Sequence, residues 1–340
     1  VRIGGADTTL ADLITLIGAP NESLAARIAA IFTLKQLYGE SANAALNGFV
    51  ADPSIREWAL RALADRRGQT DGVDAGSFLA GLNDPNPRVR AQSIIGLERL
   101  GVSEAASALL SLARSPEDPL WLDEDTSTSE RYQANEILPH LANRAVVSLQ
   151  AVDACLEALD SADGALRNAA LRALERIHTM DAVNGLIERV RGAEDSSRLA
   201  ELFTAAFRLM RQETPWDGTR WWTTRPDDRG PYFEPMAWEG SEPLESAVRD
   251  HFGQLSEAEQ GSLLIAMRRN RIQPEDLGLD LATDEIDAVL NDPNPGTFAL
   301  SLLREVALDS ERPQDLRVKA FRGLSRIAGE ESFGAQLEIA

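Results

Sequence analysis

One nine-residue pattern returns along the chain and limits what the chain can fold into. It reads apolar residue, Arg, two residues, a small residue, three residues, Leu. It appears as Ala26-Arg27, Ala30, Leu34; as Ile55-Arg56, Ala59, Leu63; and as Val89-Arg90, Ser93, Leu97. It returns as Leu166-Arg167, Ala170, Leu174 and as Leu316-Arg317, Ala320, Leu324. A weaker copy places Glu130 before Arg131, Ala134 and Leu138. Apolar, small and Leu positions fall at i, i+4 and i+8, which is one face of an α-helix. A small residue in the middle of that face lets a neighbouring helix come close. The Arg follows the apolar residue near the start of the helix, so it does not serve the dipole of its own helix. Carboxylates in adjacent turns, such as Asp52 or Asp84, are its expected partners.

The spacing between copies marks a repeat. Arg27, Arg56, Arg90, Arg131 and Arg167 are separated by 29, 34, 41 and 36 residues. The 150 residues from Arg167 to Arg317 leave room for about four more units. The pentapeptide Asn-Asp-Pro-Asn-Pro stands both at Asn83 to Pro87 and at Asn291 to Pro295. Its prolines exclude a helix interior and mark the turn before the second helix of a unit. Ala51-Asp52-Pro53 and Asp160 to Gly164 read as equivalent turns, and Gly39, Gly68 and Gly101 fall where helices should end.

On these residues the chain resembles the HEAT-repeat family, most closely along Asp84-Pro85-Asn86-Pro87-Arg88-Val89-Arg90 and on to Leu97. The likeness fades at Arg198 and over Thr297 to Leu303. It implies an all-α solenoid of about eight to nine helix pairs, with a concave face built from the second helices that binds other macromolecules. A reaction is not implied.

Composition agrees. A chain of 340 residues exceeds one ordinary core, and 44% hydrophobic with 26% charged residues supports burial rather than disorder. The net charge of −20 opposes nucleic acid and anionic lipid as partners. The basic residues are Arg apart from Lys35 and Lys319. The single cysteine, Cys155, has no partner for an internal disulfide and sits at an apolar helical position, as a core residue would. No apolar run is long enough to span a membrane. The start lacks the layout of a signal peptide, and a chain opening on Val1 reads as a processed or excised piece.

Two segments interrupt the repeats. Ser115 to Ser129 is acidic and Pro-bearing, a loop ending in a capping box from Ser127 and Glu130. Its Asp123, Glu124 and Asp125 lack the Gly turn and distal Glu of a calcium loop. The second interruption, residues 213–243, holds four of the six tryptophans and no helical period. The expected division is therefore an N-terminal array over 1–212, the insertion over 213–243, and repeats continuing the same solenoid over 244–340.

Pro215-Trp216-Asp217-Gly218-Thr219-Arg220-Trp221-Trp222, then Thr224-Arg225-Pro226 and Gly230-Pro231-Tyr232, resemble an insertion in HEAT arrays of large secreted proteins of Planctomycetes and Verrucomicrobia. In those proteins the array accompanies a c-type cytochrome, a propeller-like dehydrogenase or a sugar-active domain. The resemblance implies a periplasmic or extracellular setting, with a cytoplasmic one left open. This chain lacks a Cys-x-x-Cys-His haem site. Two readings of the insertion stand side by side. Its rings form a local mini-core over the solenoid edge. Alternatively Trp216, Arg220, Trp221, Trp222, Arg225, Asp227, Asp228, Tyr232, Phe233 and Trp238 form a surface for a sugar ring or a partner protein.

Catalytic motifs are missing. His140, His178 and His251 are not followed by Glu, form no paired metal motif, and read as surface or helix-end residues. There is no phosphate loop and no nucleophile elbow. The sequence thus points to a binding or scaffolding module without cofactor, whose partner is another protein or a neighbouring domain of the same polypeptide. Carbohydrate is the second partner class. An enzyme with Asp227 or Asp228 as acid or base is the third reading.

Overall fold

The computed structural model describes residues 6–114, 128–215, 235–279, 285–291, 297–310 and 312–326. The chain is all-α, of the solenoid class, and divides into two compact units, residues 1–173 and 174–340.

In the first unit the helices come as consecutive pairs: α1 (Ala6–Gly18) with α2 (Leu24–Tyr38), α3 (Asn43–Phe49) with α4 (Arg56–Leu63), α5 (Ala75–Gly81) with α6 (Pro87–Leu100). Then follow α7 (Ala106–Leu112) with α8 (Thr128–Ser148), and α9 (Val152–Leu159) before α10 (Gly164–Leu174). Second helices stack on second helices, α2 on α4, α4 on α6 and α6 on α8. First helices stack likewise, α1 on α3 and α7 on α9. Each unit therefore hides its hydrophobic stripe only with the help of its neighbours, the arrangement the nine-residue pattern predicts. Ala30, Leu34, Ala59, Leu63, Leu97, Ala170 and Leu174 are all buried, and so is Ser93 at the small position.

The start of α6 shows how the local sequence sets a helix. Asn86 accepts from the backbone N–H of Arg88, and Pro87 occupies the first helical turn, where its missing N–H costs nothing. Gly39 and Gly101 end α2 and α6 with φ of 56° and 70°. Gly68 differs from expectation. The helix before it, α4, has already stopped at Leu63, and Gly68 lies within the connection to α5.

The second unit contains α11 (Met180–Arg191), α12 (Ser196–Leu209), α13 (Ser241–His251), α14 (Glu257–Arg269), α15 (Glu285–Asn291), α16 (Thr297–Leu308) and α17 (Gln314–Leu324). Here α11 packs on α12 and α13, and α12 on α14. A 3-10 turn, Pro274–Leu277, packs on α13 in the place of a first helix, and α15 follows it as the second. The last pair is α16 with α17. The second Asn-Asp-Pro-Asn-Pro thus leads into a first helix, not the second helix that its sequence suggests. This explains why Thr297 to Leu303 lacks the motif arginine, which stands instead at Arg317 in α17. A two-residue antiparallel pairing, Gln212 with Met236 and Glu213 with Pro235, closes the base of the connection between α12 and α13.

Candidate functional site

The motif arginines are structural. Arg27 donates through Nε to Ile17 O at the end of α1 (2.7 Å) and through Nη1 to Ser54 Oγ, and pairs with Asp52. Arg56 donates through Nε to Val50 O (2.9 Å), just past α3, and through Nη1 to Asp84 (2.6 Å). Arg90 reaches Asp84 O, Arg167 reaches Ser161 O and Ala162 O, and Arg317 reaches Ala307 O in the last turn of α16. The carboxylate partners Asp52 and Asp84 are those the sequence suggests, and each belongs to the turn of the next unit. Arg27, Arg56 and Arg317 thus supply donors to carbonyls at or just past the end of the first helix of the pair, whereas Arg90 and Arg167 reach carbonyls of the turn before their own helix. The Asp52 carboxyl is held down at about 2, first by the Ser54 hydroxyl and then by Arg27. The side chain of Arg131 lies outside the described residues.

A second set of side chains lies on the second-helix layer of the first unit and was not singled out by the repeat pattern. Phe32 on α2 and Trp58 on α4 meet edge to face, with centroids 6.4 Å apart and planes at 78°. Above the Phe32 ring lies the Arg61 guanidinium of α4, 5.8 Å from the centroid. Above the Trp58 ring lies that of Arg88 on α6, also at 5.8 Å. Arg88 further pairs with Glu57 at 3.3 Å, its own side chain 69% exposed. Each ring is therefore covered by a cation from the following unit, and the row crosses three consecutive second helices. The rings stand five and two residues past their motif arginines, so no fixed spacing announces them.

Of the residues expected to form a site in the insertion, the structure describes Trp238. Trp216, Arg220, Trp221, Trp222, Arg225, Asp227, Asp228, Tyr232 and Phe233 lie outside the described residues, as does Ser115 to Ser127. Trp238 donates from its indole Nε1 to Leu209 O (2.6 Å), the last residue of α12. Its ring meets His178 edge to face at 5.3 Å, and any side chain at Gly240 would collide with it. Next to it, Ser241 donates to Met210 O (2.7 Å), and Arg211 pairs with Glu245 at 3.0 Å. Trp238 and Ser241 therefore fasten the return of the insertion to the C-terminal end of α12. His178 shares Arg211 O through Nε2 at 2.8 Å, and burial pulls its basicity below the ordinary histidine range. His178 is part of this packing and not a surface residue. His140 is exposed within α8, and His251 ends α13.

Between α11 and α13 runs an open groove of about 370 Å³, half polar and half apolar, with Asn184, Ile187, Glu188 and Arg191 on one wall and Pro243, Ser246, Ala247, Asp250 and His251 on the other. Among the described residues no group of three His, Cys, Asp or Glu side chains is placed to hold a metal ion. Burial pushes the Cys155 thiol up to about 12, which suits the core position read from the sequence and leaves little thiolate for nucleophilic work. No helix among the described residues is long and apolar enough to cross a membrane.

The protein family described as HEAT repeats matches residues 50–121, a stretch that begins just before α4 and includes α6 and α7. No curated protein matches the chain. Among solved structures, the chain is similar to two engineered proteins from the Northeast Structural Genomics Consortium. One is 15% identical, with 99% of this chain and 85% of the other covered and a TM-score of 0.34. The other is 15% identical, with 81% and 99% covered and a TM-score of 0.25.

Proposed function

We propose that the chain is a non-enzymatic protein-interaction module that binds its partner on the second-helix face of the first unit. The observation that carries this reading is the row of Phe32, Trp58, Arg61 and Arg88, four large side chains from three successive units with aromatic and guanidinium surface at the layer's outer side. Aromatic and Arg side chains dominate the energetics of protein interfaces. Trp58, Arg61 and Arg88 come from the stretch that the HEAT family matches, and Phe32 lies in the helix pair before it. The partner is another protein or a neighbouring domain of a longer polypeptide. A setting in a large secreted protein is supported by the resemblance of Pro215 to Trp222 alone.

Binding of carbohydrate by the insertion is the weaker reading at Trp238, because its N–H and one ring edge are already engaged. Site-specific photo-crosslinking in the native host tests the proposal. A photoreactive residue at position 92 of α6, which holds the register position of Trp58, should give a discrete protein adduct. One at Ser107 of α7, on the first-helix layer, should give none. Equal labelling from both positions, or from neither, would overturn the reading.

A further inference from the structure

The whole chain carries a net charge of −20, yet the helices α2, α4 and α6 hold seven Arg or Lys residues against two acids, Glu57 and Glu98. Most of these cations are engaged inside the fold. Arg27 and Lys35 are buried, Arg56 and Arg90 serve the inter-helix turns, and Arg99 donates to Ala64 O at the end of α4 (2.7 Å). Two remain on the outer side, Arg61 and Arg88. Arg88 is shared between the Trp58 ring and Glu57. Arg61 is exposed, lies over the Phe32 ring, and has no carboxylate partner among the described residues.

A ring within reach of a guanidinium carbon attracts the cation and favours the side-chain conformers that keep it there. The guanidinium carries five N–H donors. Those donors match a carboxylate in the two-point geometry that arginine favours. Less conformational freedom is then lost when a carboxylate arrives. The rings beside the cations offer apolar contact to the rest of a bound chain.

We infer that the row Phe32–Arg61–Trp58–Arg88 is a docking surface for an acidic peptide segment of a partner protein, with Asp or Glu side chains received by Arg61 and Arg88. This rests on the interaction reading above and gives its partner a chemical class. A protein segment is favoured over nucleic acid, because two outward arginines in a strongly acidic chain provide few phosphate contacts.

The test is fluorescence anisotropy on the full chain with three labelled probes: a peptide of repeated Glu-Asp-Leu triplets, its Gln-Asn-Leu counterpart, and oligothymidine. The acidic peptide should bind, lose affinity as salt rises, and bind at least about tenfold more tightly than the neutral one. The double variant R61Q/R88Q should cost the acidic peptide a similar factor and leave the neutral peptide unchanged. Both side chains are outward, and unchanged circular dichroism would confirm the fold; should the variant misfold, the comparison of the two peptides on the native chain still decides. Equal binding of the two peptides, no binding of the acidic one at millimolar concentration, or preference for oligothymidine would overturn the inference. Crosslinking at position 92 without preference for the acidic peptide would retain the interaction module and remove its acidic partner. Failure of both would remove both.

Discussion

Gly96 on α6 lies directly beneath the ring of Phe78 on α5: a methyl group built on Gly96 would come within 2.1 Å of Cδ1 and Cε1. The contact is reciprocated nearby, where a methyl on Gly81 of α5 would meet the Ser93 hydroxyl of α6 at the same separation. The pair α5/α6 therefore closes through two glycines, each accepting a side chain from the other helix. Phe78 is fully buried and cannot swing away. Gly96→Ala should cost about 1–3 kcal/mol through overpacking, despite the better helix propensity of Ala. Gly68→Ala, where a methyl meets nothing within 4 Å, should stay within about 0.5 kcal/mol. Urea unfolding of both variants checks the contrast. Adding Phe78→Leu to Gly96→Ala should recover part of the loss, since the two residues share one contact.

The acid limb of stability should report the Arg27–Asp52–Ser54 cluster. Asp52 has its folded-state carboxyl lowered to about 2, with the Ser54 hydroxyl as the larger cause and Arg27 the next. An acid whose pKa is lowered by folding stabilises the fold above its ordinary value near 3.8. That contribution is lost as pH falls through the window from there to about 2. Asp52 is partly exposed, so solvent screening reduces the effect to about 1 kcal/mol or less. Thermal unfolding of Asp52→Asn against the native chain should show a difference at pH 5 that shrinks toward pH 2. Ser54→Ala should shift the same window upward. A difference that is constant across the range would refute the assignment.

The helical face was legible in the sequence because it is a matter of local spacing, and Asp52 and Asp84 were legible as acids that recur in the turn of the next unit, 25 and 28 residues from their arginines. An i, i+4, i+8 stripe needs no knowledge of distant residues. The carbonyls of Ile17 and Val50 were not legible, because a guanidinium reaches them only after two helices have packed. The pairing of Phe32 with Trp58 was hidden for the same reason: the rings sit at different offsets in their repeats. The tryptophans of 213–243 are the conspicuous rings of the sequence, and among them Trp238 is an anchor. One signal was available. Sorting charges by helix separates the basic α2, α4 and α6 from an acidic whole, whereas net charge alone conceals them.

Trp238 should behave as a structural residue. Its indole N–H satisfies the carbonyl that ends α12, and Phe cannot replace that donor. Trp238→Phe should therefore cost about 1–2 kcal/mol, the net loss for a partly buried hydrogen bond with its acceptor left unpaired. Trp58→Phe, where no indole hydrogen bond is present among the described contacts, should cost less. Comparison of the two variants by urea unfolding separates an anchor from a surface ring. Equal losses would count against the anchoring role.

Lys35 gives the alkaline counterpart to Asp52. Its ammonium is buried and donates to Asn43 Oδ1 (2.6 Å) and Gln69 O (2.9 Å), and Asn43 in turn donates to Gln69 O and Asp71 O. This network holds the connection from α4 to α5 against α2 and α3. Burial lowers the Lys35 pKa below 10.5, a lowering that nearby Asp65 opposes. The unfolded chain therefore keeps the proton to higher pH than the folded chain does. Stability rises with pH wherever the unfolded state binds more protons, so Lys35 should add stability as pH climbs from its folded value toward 10.5. The neutral amine still donates to Asn43 and Gln69, so the network survives the loss of charge. Lys35→Met should be less stable than the native chain at pH 7, because Asn43 Oδ1 loses its donor. The gap should widen as pH rises through the alkaline range, since only the native chain gains there. Thermal midpoints of the two proteins at matched ionic strength measure the gap directly. A gap that narrows with pH would mean that the ammonium stabilises this fold more than the amine does.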